Sequence, residues 1–348
     1  MTTAATEGGF PSLPRMRTGL AALAIGAVLV SVGCGGDDGS GGETSSGADR
    51  GAAFERKLET AQHPASGDFP ASQGMTLQQV ADGVQRVQAG LASSEFTPGR
   101  NRLAFGVVGN DNKLVYGPSA VYLAPTPNDP ARGPFLAPAD PLVVDPPFRS
   151  KQAALESDAV AAIYETEVTL PRPGGYAVLV VTKTGAGQLV GGGTEIAVRR
   201  SSPIPAVGER PPRVETETVA SSGGDIKSIE TRDPADEMHE ENFGDVLGEK
   251  PVVLLMATPA LCQTRVCGPV TDIAAQLQEE YGDRATFIHQ EVYEDNDVQK
   301  GLRKPLREFG LRTEPWLFTF DSSGRVAARL EGSFGNRAFR DAVEAALD

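Results

Sequence analysis

Residues 251–270 read PVVLLMATPALCQTRVCGPV, and this stretch predicts a buried strand that leads into a helix past two cysteines. The run PVVLLMA is continuously apolar, as expected for a strand covered on both faces. Apolar residues then recur at helical spacing from Val270 to Tyr281, and Gly282 follows as a helix stop. Because proline is tolerated only in the first turn of a helix, Pro269 predicts that the helix begins close to Cys267.

Four residues separate Cys262 from Cys267. On a continuous helix, residues five apart rise by about 7.5 Å, beyond the roughly 7 Å between Cα atoms that a disulfide tolerates. If the two sulfurs bond, the residues between them therefore form a loop. A cysteine at the start of a helix also lies at the positive end of the helix dipole, which favours the thiolate of Cys267.

The rest of the C-terminal third continues as alternating strands and helices. Further strands are predicted at 285–292, 316–321 and 326–331, and further helices at 298–309 and 337–347. The resulting order, β-α-β-α-β-β-α, is typical of helices packed on a mixed sheet.

Two passages, KPVVLLMATPALCQTRVCGPVTDIAAQLQEEYG and FGLRTEPWLFTFDSSGRVAARLEG, make residues 225–348 resemble the thioredoxin fold. The resemblance implies an active site at Cys262 and Cys267. It also implies that Pro315 is the cis-proline beside the sulfurs. Glu314 departs from the apolar or small residue that the family usually has before this proline.

The resemblance allows two alignments of the cysteines. Cys267-Gly268-Pro269-Val270 is similar to the Cys-Gly-Pro-Cys of thioredoxins with valine at the last position, which makes Cys267 the nucleophile. Alternatively, Cys262 holds the first position after the strand and Cys267 is the resolving partner, closer to the Cys-x3-Cys-Pro of copper-chaperone relatives. Both alignments keep the pair as the predicted site and leave the two roles open.

The chemistry predicted from this resemblance is thiol–disulfide exchange. One alternative is copper(I) handling, because two thiolates suit that ion. Another is a binding lipoprotein with a structural disulfide. His239 and His289 do not match the histidine of the copper-chaperone relatives, and His289 is interpreted as a structural residue of a strand. We predict no metal site and no cofactor.

The N-terminus predicts export. Arg15 and Arg17 precede an apolar run too short to span a bilayer. The run ends in Val-Ser-Val-Gly-Cys34, which resembles the lipobox of bacterial lipoproteins and implies a signal peptide at 1–33 with lipidation of Cys34. Residues 34–72 follow as a polar tether. We therefore predict an extracytoplasmic protein that is anchored to the cell membrane by lipid.

Residues 73–200 have the pattern of a β-sandwich. Strand-like runs alternate with turns rich in Gly, Pro, Asn and Asp. The passage YETEVTLPRPGGYAVLVV (164–181) resembles the immunoglobulin-like modules of bacterial periplasmic proteins. Helical spacing over Met75–Leu91 predicts a helix that leads into this module. A Pro- and Ser-rich linker follows at 201–224.

The predicted fold class is therefore multidomain, an all-β immunoglobulin-like sandwich followed by an α/β thioredoxin-like domain. The 348-residue chain has a formal net charge of −14, which argues against nucleic acid as a partner. The partners predicted instead are envelope proteins that carry thiols or disulfides, and the membrane through the lipid anchor.

Overall fold

The N-terminal half consists mainly of strands separated by turns. The structure is a computed structural model that describes residues 47–153, 160–262 and 265–348. The predicted signal peptide and Cys34 lie outside these residues. The elements of this half are α1 (Gly47–Gln62), a 3-10 turn (Ser66–Asp68), α2 (Leu77–Ala81), β1 (Gln85–Arg86), β2 (Gln88–Leu91), β3 (Gly99–Val108), β4 (Ser119–Ala124), β5 (Arg132–Leu136), β6 (Ala139–Pro141), a 3-10 turn (Pro146–Phe148), β7 (Ala162–Leu170), β8 (Gly174–Lys183) and β9 (Leu189–Val198).

The helix predicted over Met75–Leu91 is much shorter in the structure. It is capped by Thr76, whose side chain accepts a hydrogen bond from the Gln79 N–H, and it ends at Ala81. Glycines interrupt the segment beyond it, and glycine weakens a helix interior. The residues after the helix pair with β9 and β3 instead, so sheet pairing overrides the helical spacing.

The strands form two sheets that face one another. One has the order β1-β9-β8-β4-β5 and the other β2-β3-β7-β6. Phe105 of β3, Leu123 of β4, Tyr164 of β7 and Val180 of β8 share one buried core between them. The observed two-layer β-sandwich agrees with the predicted strand pattern.

The C-terminal half has the predicted element order from β10 onward. Its elements are, in chain order, a 3-10 turn (Ile226–Ser228), α3 (Phe243–Val246), β10 (Val252–Met256), α4 (Cys267–Tyr281), β11 (Thr286–Gln290), two 3-10 turns (Glu294–Asn296 and Val298–Lys300), α5 (Lys304–Glu308), β12 (Trp316–Phe320), β13 (Val326–Glu331) and α6 (Asn336–Leu347). The helix predicted at 298–309 is divided into the 3-10 turn Val298–Lys300 and α5. Gly301 between them has a φ of 81°, which a helix cannot contain.

The sheet of this half has the order β11-β10-β12-β13. Strand β10 runs parallel to β11 and antiparallel to β12, so it lies in the sheet interior, as its continuous apolar run predicts. Val253 and Leu255 face a core built with α4 and α6, whereas Leu254 faces a second core with Phe309 and Phe318. This topology is the one that the resemblance to the thioredoxin fold implies.

The two halves pack against one another. Residues from Ser46 to Asp348 form one compact unit. Leu142 and Val144, which follow β6, are buried in the same core as α4 and α6. Ile204 and Val214, from the segment predicted as a linker, are buried in the core on the other face of the sheet.

In the described part of the chain, no helix is long and apolar enough to cross a membrane.

Candidate active site

The two cysteines lie between the end of β10 and the first residue of α4. The chain leaves the sheet after Met256 and turns through Cys262, and α4 begins at Cys267. This confirms the helix start predicted from Pro269. Arg265 has a φ of 58° and donates its N–H to the carbonyl of Cys262 at 3.3 Å, so Arg265 itself is not helical.

The two sulfurs differ in their access to solvent. Cys267 is fully buried, with 0% of its surface exposed. Cys262 is only partly buried and forms a hydrogen bond with Cys267. Of the two, Cys262 is the sulfur that a partner molecule can approach.

Burial raises the pKa of the Cys267 thiol well above its usual range. The hydrogen bond and the charge of Cys262 raise it further, the Thr258 backbone N–H lowers it, and the charge of Glu314 raises it again. The sequence argument that the helix dipole favours this thiolate is therefore wrong for Cys267, because desolvation outweighs the dipole.

Pro315 lies on the chain segment that enters β12, and the Glu314–Pro315 peptide bond is cis, as the resemblance implies. Glu314 is half-buried and faces the thiols. Burial raises the pKa of its carboxyl, and the charge of Cys262 adds to this effect. Tyr293 donates a hydrogen bond to Glu314, and burial raises the pKa of Tyr293 to about 12.

A segment of the N-terminal half covers the first turn of α4. A Cβ atom built on Gly268 would lie 2.6 Å from the carbonyl oxygen of Gln152. The backbone N–H of Ser150 donates to the Asp272 carboxylate at 3.0 Å, which holds this segment on the helix. The close approach explains why a glycine follows Cys267.

No protein-family model and no curated protein sequence matches this chain. Among solved structures, a protein described as a thiol:disulfide interchange protein DsbE from Chlorobium tepidum is 15% identical, with a TM-score of 0.30, over 41% of this chain and 99% of its own. A thioredoxin family protein from Chlorobium tepidum TLS is 17% identical, with a TM-score of 0.27, over 41% and 99%. DsbF of MTB is 17% identical, with a TM-score of 0.26, over 38% and 94%. These likenesses are remote, and the thioredoxin-like arrangement rests on the topology described above.

Several polar residues near the site are missed by the sequence analysis. Glu291 opens an acidic stretch that suggests a solvated turn, yet it is fully buried, and burial raises the pKa of its carboxyl. It accepts hydrogen bonds from the Thr231 backbone N–H at 2.9 Å and from the Thr231 hydroxyl at 2.6 Å. The same hydroxyl accepts a hydrogen bond from the N–H of Ala260, in the cysteine loop, at 3.1 Å. Thr231 and Glu291 are 60 residues apart, so the sequence pattern does not predict their hydrogen bonds.

The histidines do not complete a copper site with the cysteines within the described residues. His239 and His289 are both buried and lie together, with ring centroids 5.1 Å apart. The side chains that surround them are Glu230 and Asp236. The described residues thus contain a second polar cluster beside the cysteine loop.

Proposed function

We propose that this chain carries out thiol–disulfide exchange through Cys262 and Cys267. The observation that carries the proposal is the pair itself. Two hydrogen-bonded sulfurs lie between β10 and α4, close to Glu314 and its peptide bond with Pro315, and one of them is partly exposed while the other is buried. A half-exposed thiol backed by a buried one suits attack on a partner followed by resolution within the pair.

In the proposed reaction, the thiolate of Cys262 attacks one sulfur of a partner disulfide. A mixed disulfide forms, the partner's S–S bond breaks, and its second sulfur leaves as a thiolate that takes up a proton. Cys267 then loses its proton and attacks the Cys262 sulfur, which releases the first partner sulfur. The pair ends as a disulfide, and the partner has gained two electrons and two protons.

The environment of Cys267 favours this direction of electron flow. Burial and the neighbouring charges oppose its thiolate. In strongly oxidising thiol–disulfide oxidoreductases the reduced form is stabilised, so the disulfide is easily reduced. A pair whose thiolate is not stabilised has a disulfide that is harder to reduce. We therefore expect a reductant of partner disulfides, with a potential near the thioredoxin value of about −270 mV rather than about −120 mV.

The proposed setting follows from the N-terminal sequence. Val-Ser-Val-Gly-Cys34 supports lipidation at Cys34, and hence an extracytoplasmic protein held at the membrane. The proposed partners are envelope proteins with thiols or disulfides. The β-sandwich, with an immunoglobulin-like pattern, would serve recognition or spacing.

The reduction potential of the full chain tests this proposal. The chain is equilibrated with glutathione or dithiothreitol, its thiols are trapped, and the Cys262 and Cys267 peptides are quantified separately from that of Cys34 by mass spectrometry. A value between about −270 and −120 mV supports exchange. A value below about −300 mV indicates a structural disulfide and contradicts the proposal.

Two single variants separate the roles of the sulfurs. Cys267→Ser should accumulate a mixed disulfide with a model disulfide substrate, because no resolving thiol remains. Cys262→Ser should lose the exchange reaction altogether. A Cys262→Ser chain that keeps full exchange activity would contradict the assignment of the attacking sulfur.

A further inference from the structure

Four buried side chains, from two distant parts of the sequence, converge beside the cysteine loop. Glu230, Asp236 and His239 come from the segment before α3, and His289 comes from β11. One potential metal-binding atom from each lies within 4.8 Å of all the others. Their side chains are at most 2% exposed. The cluster uses neither of the cysteines.

The distances within the cluster match those of a four-ligand metal site. His239 Nε2 lies 3.1 Å from a Glu230 oxygen and 3.6 Å from an Asp236 oxygen. His289 Nδ1 lies 3.3 Å and 2.9 Å from oxygens of the same two carboxylates. Ligands bound tetrahedrally at 2.0–2.1 Å from a zinc ion are about 3.3–3.4 Å apart. The four nitrogen–oxygen distances lie on either side of this separation, although the two histidines approach different oxygens of Asp236.

Outer hydrogen bonds orient the cluster in the way that metal sites require. The second ring nitrogen of His289, Nε2, donates to the carbonyl oxygen of Ala257 at 3.1 Å, which leaves Nδ1 to face the carboxylates. A histidine that donates its other ring N–H to a backbone carbonyl is typical of metal ligands. The carboxylate of Glu230 also accepts the Arg232 N–H at 2.6 Å, and that of Asp236 accepts the Met238 N–H at 2.9 Å.

The charge of the cluster also favours a divalent cation. Two carboxylates with almost no solvent exposure need two positive charges nearby, because an unpaired buried charge is costly. One divalent ion bound between the two carboxylates supplies both of these charges.

We propose that Glu230, Asp236, His239 and His289 bind a divalent first-row transition metal ion, and that Zn²⁺ is the ion that this closed N2O2 set fits. All four positions are filled by protein ligands, so the role is structural. The ion ties the segment 230–239 to β11 and, through Ala257, to the end of β10. The cysteine loop begins directly after that point. The proposal does not depend on the thiol chemistry.

Metal binding by the purified full chain tests the proposal. The chain is stripped with a chelator, incubated with Zn²⁺ alone, passed through a desalting column and assayed by mass spectrometry of the metal. One equivalent is expected. His239→Gln and Asp236→Asn should each weaken Zn²⁺ binding at least tenfold. His63→Gln is the matched control, because it removes the exposed histidine outside the cluster and should leave Zn²⁺ binding unchanged.

A double variant, Cys262→Ser with Cys267→Ser, separates this site from the redox pair. It should bind Zn²⁺ as the wild-type chain does, even though all exchange activity is lost. If Zn²⁺ binding disappears in this variant, the thiols hold the ion and the proposal is overturned. A wild-type chain that binds no Zn²⁺ overturns it as well.

X-ray absorption at the zinc edge of the wild-type chain keeps the test valid if the cluster variants do not fold. The expected shell contains two imidazole nitrogens and two carboxylate oxygens without sulfur. A shell that contains sulfur would overturn the proposal.

Discussion

The carboxylate of Asp140, in β6 of the sandwich, accepts a hydrogen bond from the backbone N–H of Ala338, in α6 of the other half, at 2.9 Å. It also accepts the N–H groups of Arg337 at 2.9 Å and Gly335 at 3.2 Å. The first N–H groups of a helix have no partner within it. Gly335, at the N-cap of α6, has no side chain to serve them. The sandwich therefore caps a helix of the thioredoxin-like half.

The first prediction concerns this cap. Asp140→Ala should lower the free energy of unfolding by about 1–3 kcal/mol, because it leaves buried donors without an acceptor. Urea denaturation, monitored by the fluorescence of Trp316, measures the change. Asp145→Ala is the control, since Asp145 is exposed and does not cap the 3-10 turn that follows it. Equal unfolding free energies for the two variants would show that the cap contributes nothing.

The second prediction is unequal alkylation of the two cysteines. In the reduced chain at neutral pH, iodoacetamide should modify Cys262 at least tenfold faster than Cys267. Cys267 is buried and its pKa is raised, so it offers little thiolate and little access. Pulse labelling followed by peptide mass spectrometry measures both rates. In denaturant the two rates should converge, which serves as the control. Faster labelling of Cys267 in the folded chain would reverse the proposed roles.

The third prediction concerns Glu314. Its charge contributes to the raised pKa of Cys267. Glu314→Gln should therefore lower the pKa of Cys267 and move the pH profile of exchange towards lower pH. Glu308→Gln removes an exposed charge from α5 and should leave the profile unchanged. Stopped-flow exchange with a model disulfide across a pH series gives both profiles. Identical profiles for wild type and Glu314→Gln would rule out this electrostatic role.

The raised pKa of Cys267 also predicts how stability depends on pH. Above about pH 8.5, cysteines of the unfolded chain lose their protons, whereas folded Cys267 keeps its own. The folded state then binds more protons, so stability falls as pH rises through this range. Urea denaturation between neutral pH and the alkaline range should show the fall. Cys267→Ser should flatten it, and an equal slope in wild type and variant would contradict the prediction.

The predictable part of the site is the part that is local in sequence. The apolar run of β10, the cysteines and Pro269 lie within twenty residues, and their pattern gives the helix start at Cys267 correctly. The cis geometry of Pro315 came from the resemblance, since an X-Pro bond is trans by default. The close packing of Gly268 against Gln152, in contrast, joins two residues more than a hundred positions apart. No period or motif relates such distant residues.

The polar cluster illustrates the same limit. His289 has the alternation of a strand residue, and His239 lies in an acidic passage, so each taken alone suggests an ordinary environment. The backbone N–H of His289 donates a hydrogen bond to the carbonyl of Met238 at 2.9 Å. This bond joins the segment before α3 to β11 and places the two histidines side by side. Only the three-dimensional contact gives these two residues a common role.

The last prediction concerns the segment around Gln152 that packs on the first turn of α4. The Cβ of Gly268→Ala would lie 2.6 Å from the Gln152 carbonyl oxygen and 3.0 Å from the Gln152 Cβ, so the covering segment must move. Alanine favours a helix by about 1 kcal/mol over glycine, but overpacking against backbone costs about 1–3 kcal/mol. We expect a net loss of stability. We also expect faster alkylation of Cys267, because its cover is displaced.

Gly185→Ala is the matched control, since a Cβ at Gly185 meets nothing within 4 Å. It should change neither the urea midpoint nor the alkylation rate of Cys267. The two measurements on Gly268→Ala distinguish a local effect from a global one. A chain that loses stability while Cys267 stays unreactive would mean that the segment around Gln152 supports α4 without controlling access to the thiol. Faster alkylation at nearly unchanged stability would mean that contact between the two halves of the chain sets the reactivity of Cys267.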